Sequence, residues 1–598
     1  MSIRRRRFRP ALLAGLVSTA FLASCMANPG EAPTVAEDPK PQDQAKSKED
    51  REKQLRTINI GVDEFGEGFN PHLISDQSPL TDLIASLTLP SAFIPDPADP
   101  TTLVQDKDVL DDVTVDTVTT NGTKNTHIRY DIREGAQWSD GTPISGEDFR
   151  YLHRKIVETP GVAHSAGYEQ IDHIEVSGGG RRVDVYFDGE IVGYQELFRH
   201  LLPSHLLRAS TSGFESLLAT SVPASGGRYS VLHIDVGRNE VRLARNDRFW
   251  GDNPATTENV VLRLAGKDVA GAQQMRSNQL QAAYVRPAET TVLTYGLVPD
   301  AVTEEFDAPR TLSASLNMAS VRLDDVAVRR ELLDSINVDE IASVATGRRA
   351  IENPDQVEES STPATETASD EAPEGAPEMT AFTEEQPLRL GAMGEDPQVQ
   401  AAAFAIADQL TAAGIPAEVT TSSAIDLTRS LLPWGEVDMV VSWGESVNTR
   451  LQARDRYSCP ETTRPSLKPK NTATTKGSTS VPSSTSESSS GASNAEFAAP
   501  AATARAGNLS GICDPEIDEL LQDPGTEVPP ELSSLIDERA VEMPIATDHM
   551  LTVVGPGAIV PRNPEQKEWP SSPWTGRLMT IPLWERVVME EAKNSADE

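Results

Sequence analysis

Strict alternation of apolar and polar residues predicts a half-buried strand over residues 56–62, and the same period recurs over residues 181–187 and 241–244. A 3.6-residue period predicts a helix over residues 327–342, with Val328, Leu332, Leu333 and Ile336 on one face, and a second over residues 399–413. Short apolar runs at residues 388–391 and 415–419 flank that second helix, which predicts a βαβ unit, and residues 437–442 read as a buried strand continuing it. No repeat of solenoid period interrupts this α/β text.

Three stretches carry neither period. Residues 27–54 are rich in Pro and charge and lack aromatics, residues 351–386 hold eleven acids and no Lys or Arg, and residues 463–507 form a Ser/Thr/Pro/Ala tract. Such segments bury too little apolar surface to offset their ordering entropy, so a flexible stalk and two disordered insertions are expected. They help to explain why only 38% of the 598 residues are hydrophobic. With 53 basic against 91 acidic residues the net charge is −38, which repels nucleic acid.

The N-terminus reads as a secretory signal over residues 1–24, with Arg4 to Arg7 and Arg9 ahead of an apolar run from Ala11 to Leu22 that is too short to span a bilayer. It closes on Leu22-Ala23-Ser24-Cys25, which resembles a bacterial lipobox. Residues 25–54 are then expected to be a stalk lipid-modified at Cys25 that attaches the body to the extracytoplasmic face of the cell membrane; the bland alternative is a plain signal peptide with a chance cysteine. The remaining pair, Cys459 and Cys513, is expected to form a disulfide in an oxidising compartment, worth about 4 kcal/mol for a loop of that length. Two cysteines so far apart, without neighbouring histidines, do not suit zinc.

No catalytic pattern stands out. HExxH, GxSxG and GxxxxGK[ST] are absent, His200 and His205 lie five apart and share no helix face, and Glu147-Asp148 reads as acids at a helix N-terminus. The expectation is a protein that is not an enzyme and uses no cofactor or metal.

One segment is specific: Tyr130-Asp-Ile-Arg133-Glu-Gly135-Ala-Gln-Trp138-Ser-Asp140-Gly141-Thr-Pro143-Ile-Ser145-Gly146-Glu147-Asp148-Phe149 reads as a strand, a turn at Asp140-Gly141 and a helix opened near Ser145. It resembles the signature of the family 5 extracytoplasmic solute-binding proteins, the peptide and nickel receptors of ABC importers. Leu201-Leu-Pro203-Ser-His205-Leu206, residues 223–229, Arg245 to Gly251, Asn317 and Val328-Arg329-Arg330 follow in that family's order. The resemblance implies a two-lobed, periplasmic-binding-protein-like (type II) α/β fold that closes on a hinge around a cleft. One lobe is expected from residues 55–312 with 545–598, the other from 313–350, 387–462 and 508–544.

A narrower resemblance, at Gly66 to Asp76, Leu89 to Phe93, Arg456 to Pro460 and Asn508 to Asp514, is to actinobacterial lipoproteins of this fold tied to envelope glycolipid assembly. It implies regulation or binding of phosphatidylinositol mannosides on the way to lipomannan and lipoarabinomannan, with a polyprenyl-dependent mannosyltransferase as partner. The wider family implies instead a peptide ligand and an ABC permease, and either role suits a monomer. Peptide-binding members often carry Trp-x-x-Asp for the ligand's ammonium, where this chain has Trp443-Gly444-Glu445-Ser446. A buried ammonium without a carboxylate is costly, and Glu445 is expected to point away from the side Ser446 faces. Candidate cleft residues are Phe69 and Trp443, stacking on a sugar, with Asn70, His72, Glu445 and Ser446 bonding hydroxyls; alternatively Phe69 and Trp443 are core and Asn70-Pro71 is a turn.

Overall fold

The alternating segment at the start of the body forms the strand Thr57–Val62, whose Ile58, Ile60 and Val62 are buried, and it pairs in parallel with both Asn259–Leu264 and Ala282–Val285. This computed structural model describes residues 55–96, 99–120, 122–209, 213–349, 381–459, 505–523, 525–560 and 572–586. The signal, the stalk with Cys25 and most of both expected insertions lie outside those residues. At their described margins Phe382 is buried in a core cluster, and Arg505 is buried too.

The protein has a two-lobed α/β fold built on one ten-stranded sheet. At one end of the sheet Leu388–Met393 and Ala417–Ser422 are parallel neighbours joined by the helix Pro397–Ala412, which is the expected βαβ unit, and Met439–Glu445 pairs with Leu388–Met393 on its other side. Asp396 caps that helix by accepting from the backbone N–H of Gln398 and Val399, and Val399, Ala402, Ala403, Ile406 and Leu410 bury its inner face. The period over residues 327–342 resolves into two helices, Val326–Asp334 and Val338–Thr346. The break is at Asn337, whose side chain accepts from the Glu340 N–H and caps a new helix, a local bond that competes with helix continuation.

Two long antiparallel strands, Val302–Leu316 and Glu542–Val554, lie at the centre of the sheet and serve both lobes. Their outer ends, from Val302 and at Val554, sit beside Ala282–Val285, whereas residues 310–316 pair with Met439–Glu445. The register slips between Ala308 and Thr311. Pro309 has no N–H to give the ladder, and a bulge bends the strand and re-aims its side chains, so Arg310 turns out of the sheet where the lobes meet.

The signature segment lies in a separate four-stranded antiparallel sheet, Leu110–Thr120, Thr123–Ile132, Arg182–Phe187 and Ile171–Ser177, covered by the helix Gly146–Glu158. Ser145 and Asp148 close that helix with a capping box. Asp148 also accepts from Trp138 Nε1 at 3.3 Å and from the Ser204 N–H at 3.0 Å, and His205 bonds Asp140 at 2.7 Å. The motif therefore welds strand, turn, helix and the 201–206 step into one unit. Cys459 and Cys513 are joined as a disulfide, with Cα atoms 5.3 Å apart.

Candidate ligand cleft

Where the lobes meet, a cavity of about 70 Å3 is lined from one side by His72, Asp82, His164, Glu196, Arg199 and Trp574, and from the other by Pro309, Arg310, Glu445, Leu451 and Asp455. Arg310 comes from the bulge, with its guanidinium held 3.2 Å from Asp548. Arg199 sits between Phe198 and His200, both with left-handed φ (56° and 51°), and His164 is a third non-glycine residue of that kind at the cleft. Such conformations cost of order 1–3 kcal/mol each and persist only where surroundings impose them. Here the Phe198 N–H donates to Tyr168 Oη and the His200 N–H to Ser91 Oγ.

Burial dominates the electrostatics. It raises Glu445 and Glu196 to about 7, and Asp82 and Asp455 to about 6, against the pull of nearby arginines and histidines. It lowers His72 to about 4 and His164 below its ordinary value. His72 Nε2 lies 2.9 Å from the His200 carbonyl, which only accepts, so that nitrogen carries the proton. Near neutrality the cleft thus offers Glu196 and Glu445 partly protonated, able to donate and accept, Asp82 and Asp455 largely ionised, neutral imidazoles and two permanent cations. Among the described residues, the lining contains no serine, threonine or cysteine.

The residues expected from sequence divide. His72 and Glu445 line the cleft, and Glu445 Oε2 is 3.0 Å from His164 Nδ1. Ser446 does not line it: its hydroxyl lies 2.8 Å from Thr311 Oγ1 and its N–H donates to the Pro309 carbonyl. The carboxylate is thus on the cleft side and the serine is bonded to the hinge strand, so the two adjacent side chains face opposite ways, as an extended segment requires, and only Glu445 of the pair lines the cleft. Phe69 is in the core cluster with Leu80, Leu83 and Ile84. Asn70 is fully buried, donating to the Phe214 carbonyl and accepting from the His72 N–H, a turn that sets His72 in place. Trp443 faces a neighbouring cavity, its ring 5.2 Å from the Arg286 guanidinium and 5.7 Å from that of Arg310.

Asp82, His164, Glu196, Arg199, Arg310, Asp455 and Trp574 escaped the sequence reading. Their one shared property, convergence from distant segments, has no local pattern. Among the described residues no group of three or more His, Cys, Asp or Glu could hold a metal, and no helix is long and apolar enough to cross a membrane.

The model of the bacterial extracellular solute-binding proteins, family 5 Middle, matches residues 116–457. The chain belongs to this family. The family is extracytoplasmic by its own description. Over 90% of its length the chain is 31% identical to 92% of a Mycobacterium tuberculosis protein described as a probable monoacyl phosphatidylinositol tetramannoside-binding protein, LpqW. It is 25% identical over 38% of its length to 38% of the oligopeptide-binding protein OppA of Mycobacterium bovis. The fold matches the oligopeptide-binding protein AppA of Bacillus subtilis, solved with a nonapeptide, with a TM-score of 0.61, 13% identity and coverage of 89% of this chain and 99% of that one. The agropinic acid complex of AgaA gives the same score at 11% identity and the same coverage.

Proposed function

We propose that the protein is a lipid-anchored, extracytoplasmic receptor for phosphatidylinositol mannosides that regulates their passage toward lipomannan and lipoarabinomannan, without catalysing a reaction itself. The observation that carries this is the 31% identity to LpqW, which extends over 90% of the chain and so includes both lobes and the cleft between them. The chemistry of the cleft supports it: Glu196, Glu445, Asp82 and Asp455 supply donors and acceptors for sugar hydroxyls, and Arg199 and Arg310 suit a phosphate. Anchoring would rest on diacylated Cys25, and the partner would be a membrane mannosyltransferase using a polyprenyl donor.

Native mass spectrometry of the protein mixed with purified phosphatidylinositol mannosides and with an oligopeptide pool tests the reading. Retention of the mannosides and not of peptides is expected; the converse would end it. Disruption of the gene should lower lipoarabinomannan, and an unchanged envelope would remove the regulatory part.

One observation favours a second reading, a peptide receptor of an ABC importer. Glu445 reaches the cleft and provides a carboxylate for an α-ammonium. A peptide retained by the wild type and lost in Glu445→Gln would establish that alternative.

A further inference from the structure

A second, larger cavity, of about 430 Å3, adjoins the cleft and shares Arg199, His200 and Trp574 with it. Its walls differ in kind. Pro90, Phe93, Ile94, Trp250, Met579 and Leu583 dominate, and Ile94 and Leu583 leave 36% and 43% of their surface open. The charged groups on this wall are largely occupied with one another: Arg228 Nη2 is 2.8 Å from Asp108 Oδ2 and its guanidinium lies 4.9 Å from the Phe249 ring centre. Such a volume falls within the roughly 300–1,000 Å3 of a ligand site and is enough for a short hydrocarbon chain. An apolar wall of this kind, with a few polar groups at its rim, suits an apolar occupant.

Arg199 stands at the junction. Its guanidinium lies 4.5 Å from the centre of the Trp574 ring, and it makes no hydrogen bond or ion pair with any other described residue. The two left-handed residues on either side hold it there. A cleft rich in charged side chains, an arginine held only by an aromatic face, and a chamber with more apolar side chains thus adjoin one another. That is the order of a sugar head, a phosphodiester and a hydrocarbon chain.

We propose that the second chamber takes an acyl chain of an anionic glycolipid whose phosphate sits at Arg199 and whose sugars occupy the cleft when the lobes part to admit them. The inference rests on the glycolipid reading above and adds to it the place of the tail. Each buried methylene is worth up to about fourfold in affinity.

The test is calorimetric titration with monoacyl phosphatidylinositol mannosides of hexanoyl, octanoyl and decanoyl chain, beside the fully deacylated glycerophosphoinositol mannoside. Affinity should rise at least tenfold from hexanoyl to decanoyl. Ile94→Trp and Leu583→Trp, which fill the chamber, should abolish that gain and leave the deacylated ligand bound as before. If the deacylated ligand binds as tightly as the acylated ones, or if the chain-length gain survives in both folded variants, the chamber is not the tail site while the glycolipid reading stands. If no mannoside binds at all, the reading falls and the tail site with it.

Discussion

Asp148 shows what a strong motif encodes. Its two oxygens receive the Ser145 N–H, the Ser204 N–H and the Trp138 indole in a nearly closed site. Asp148→Asn places an amide NH2 against donors, and should cost about 2–3 kcal/mol in denaturant unfolding with ligand affinity unchanged once folded. The signature was legible because it is local and scaffolding; for the same reason it is silent about the ligand. Glu445 is the opposite case. The sequence singles out its segment, and only the assembled fold shows that its carboxylate, and not the hydroxyl of Ser446, reaches the cleft. Its folded pKa of about 7 lies above the ordinary 4.5, so the folded state holds a proton that the unfolded chain releases. That contribution is full below about 4.5 and is lost as pH rises through 7. His72, lowered from 6.5 to about 4, contributes stability above about 6.5 that is lost as pH falls toward 4. Thermal melts should therefore peak between about pH 5 and 7. Glu445→Gln should flatten the alkaline limb and gain on the order of 1–2 kcal/mol at pH 8.

Among elements, those with their own period were legible: the strand at the start of the body, the βαβ unit and the capped helix after Ser145. The helix at 327–342 was misread at one residue, because apolar positions keep nearly the same period across the break and only the cap at Asn337 marks it. Asn337→Ala should lower stability by about 1 kcal/mol, visible in urea unfolding, without joining the two helices. The paired strands Val302–Leu316 and Glu542–Val554 were not legible as a hinge. Their residues are mixed and their pairing joins segments more than two hundred positions apart, so nothing in either segment announces the slip that turns Arg310 into the cleft.

At the scale of the molecule, the lobes are tied across the cleft by ion pairs of unequal worth. Arg505 is nearly enclosed, 2.6 Å from Glu169 on the opposite lobe and bonded to Ser458 and the Arg454 carbonyl on its own. Arg429 meets Glu215 at 2.7 Å, but both side chains are a third or more exposed. Water and salt screen the second pair to within about 1 kcal/mol, whereas removing one partner of the first leaves a buried guanidinium short of an acceptor, a loss of several kcal/mol that opening the lobes would relieve. A binding protein of this fold closes by hinge rotation, so its unliganded equilibrium is set by such contacts. Glu169→Gln should therefore move the unliganded protein toward the open form, seen as a larger radius of gyration in solution scattering, and weaken ligand binding in proportion to the closed population lost. Arg429→Gln should leave both nearly unchanged at physiological salt. Equal responses from the two variants would place the latch elsewhere, with the Arg286 guanidinium, 3.0 Å from Asp396 across the same boundary, as the next contact to break.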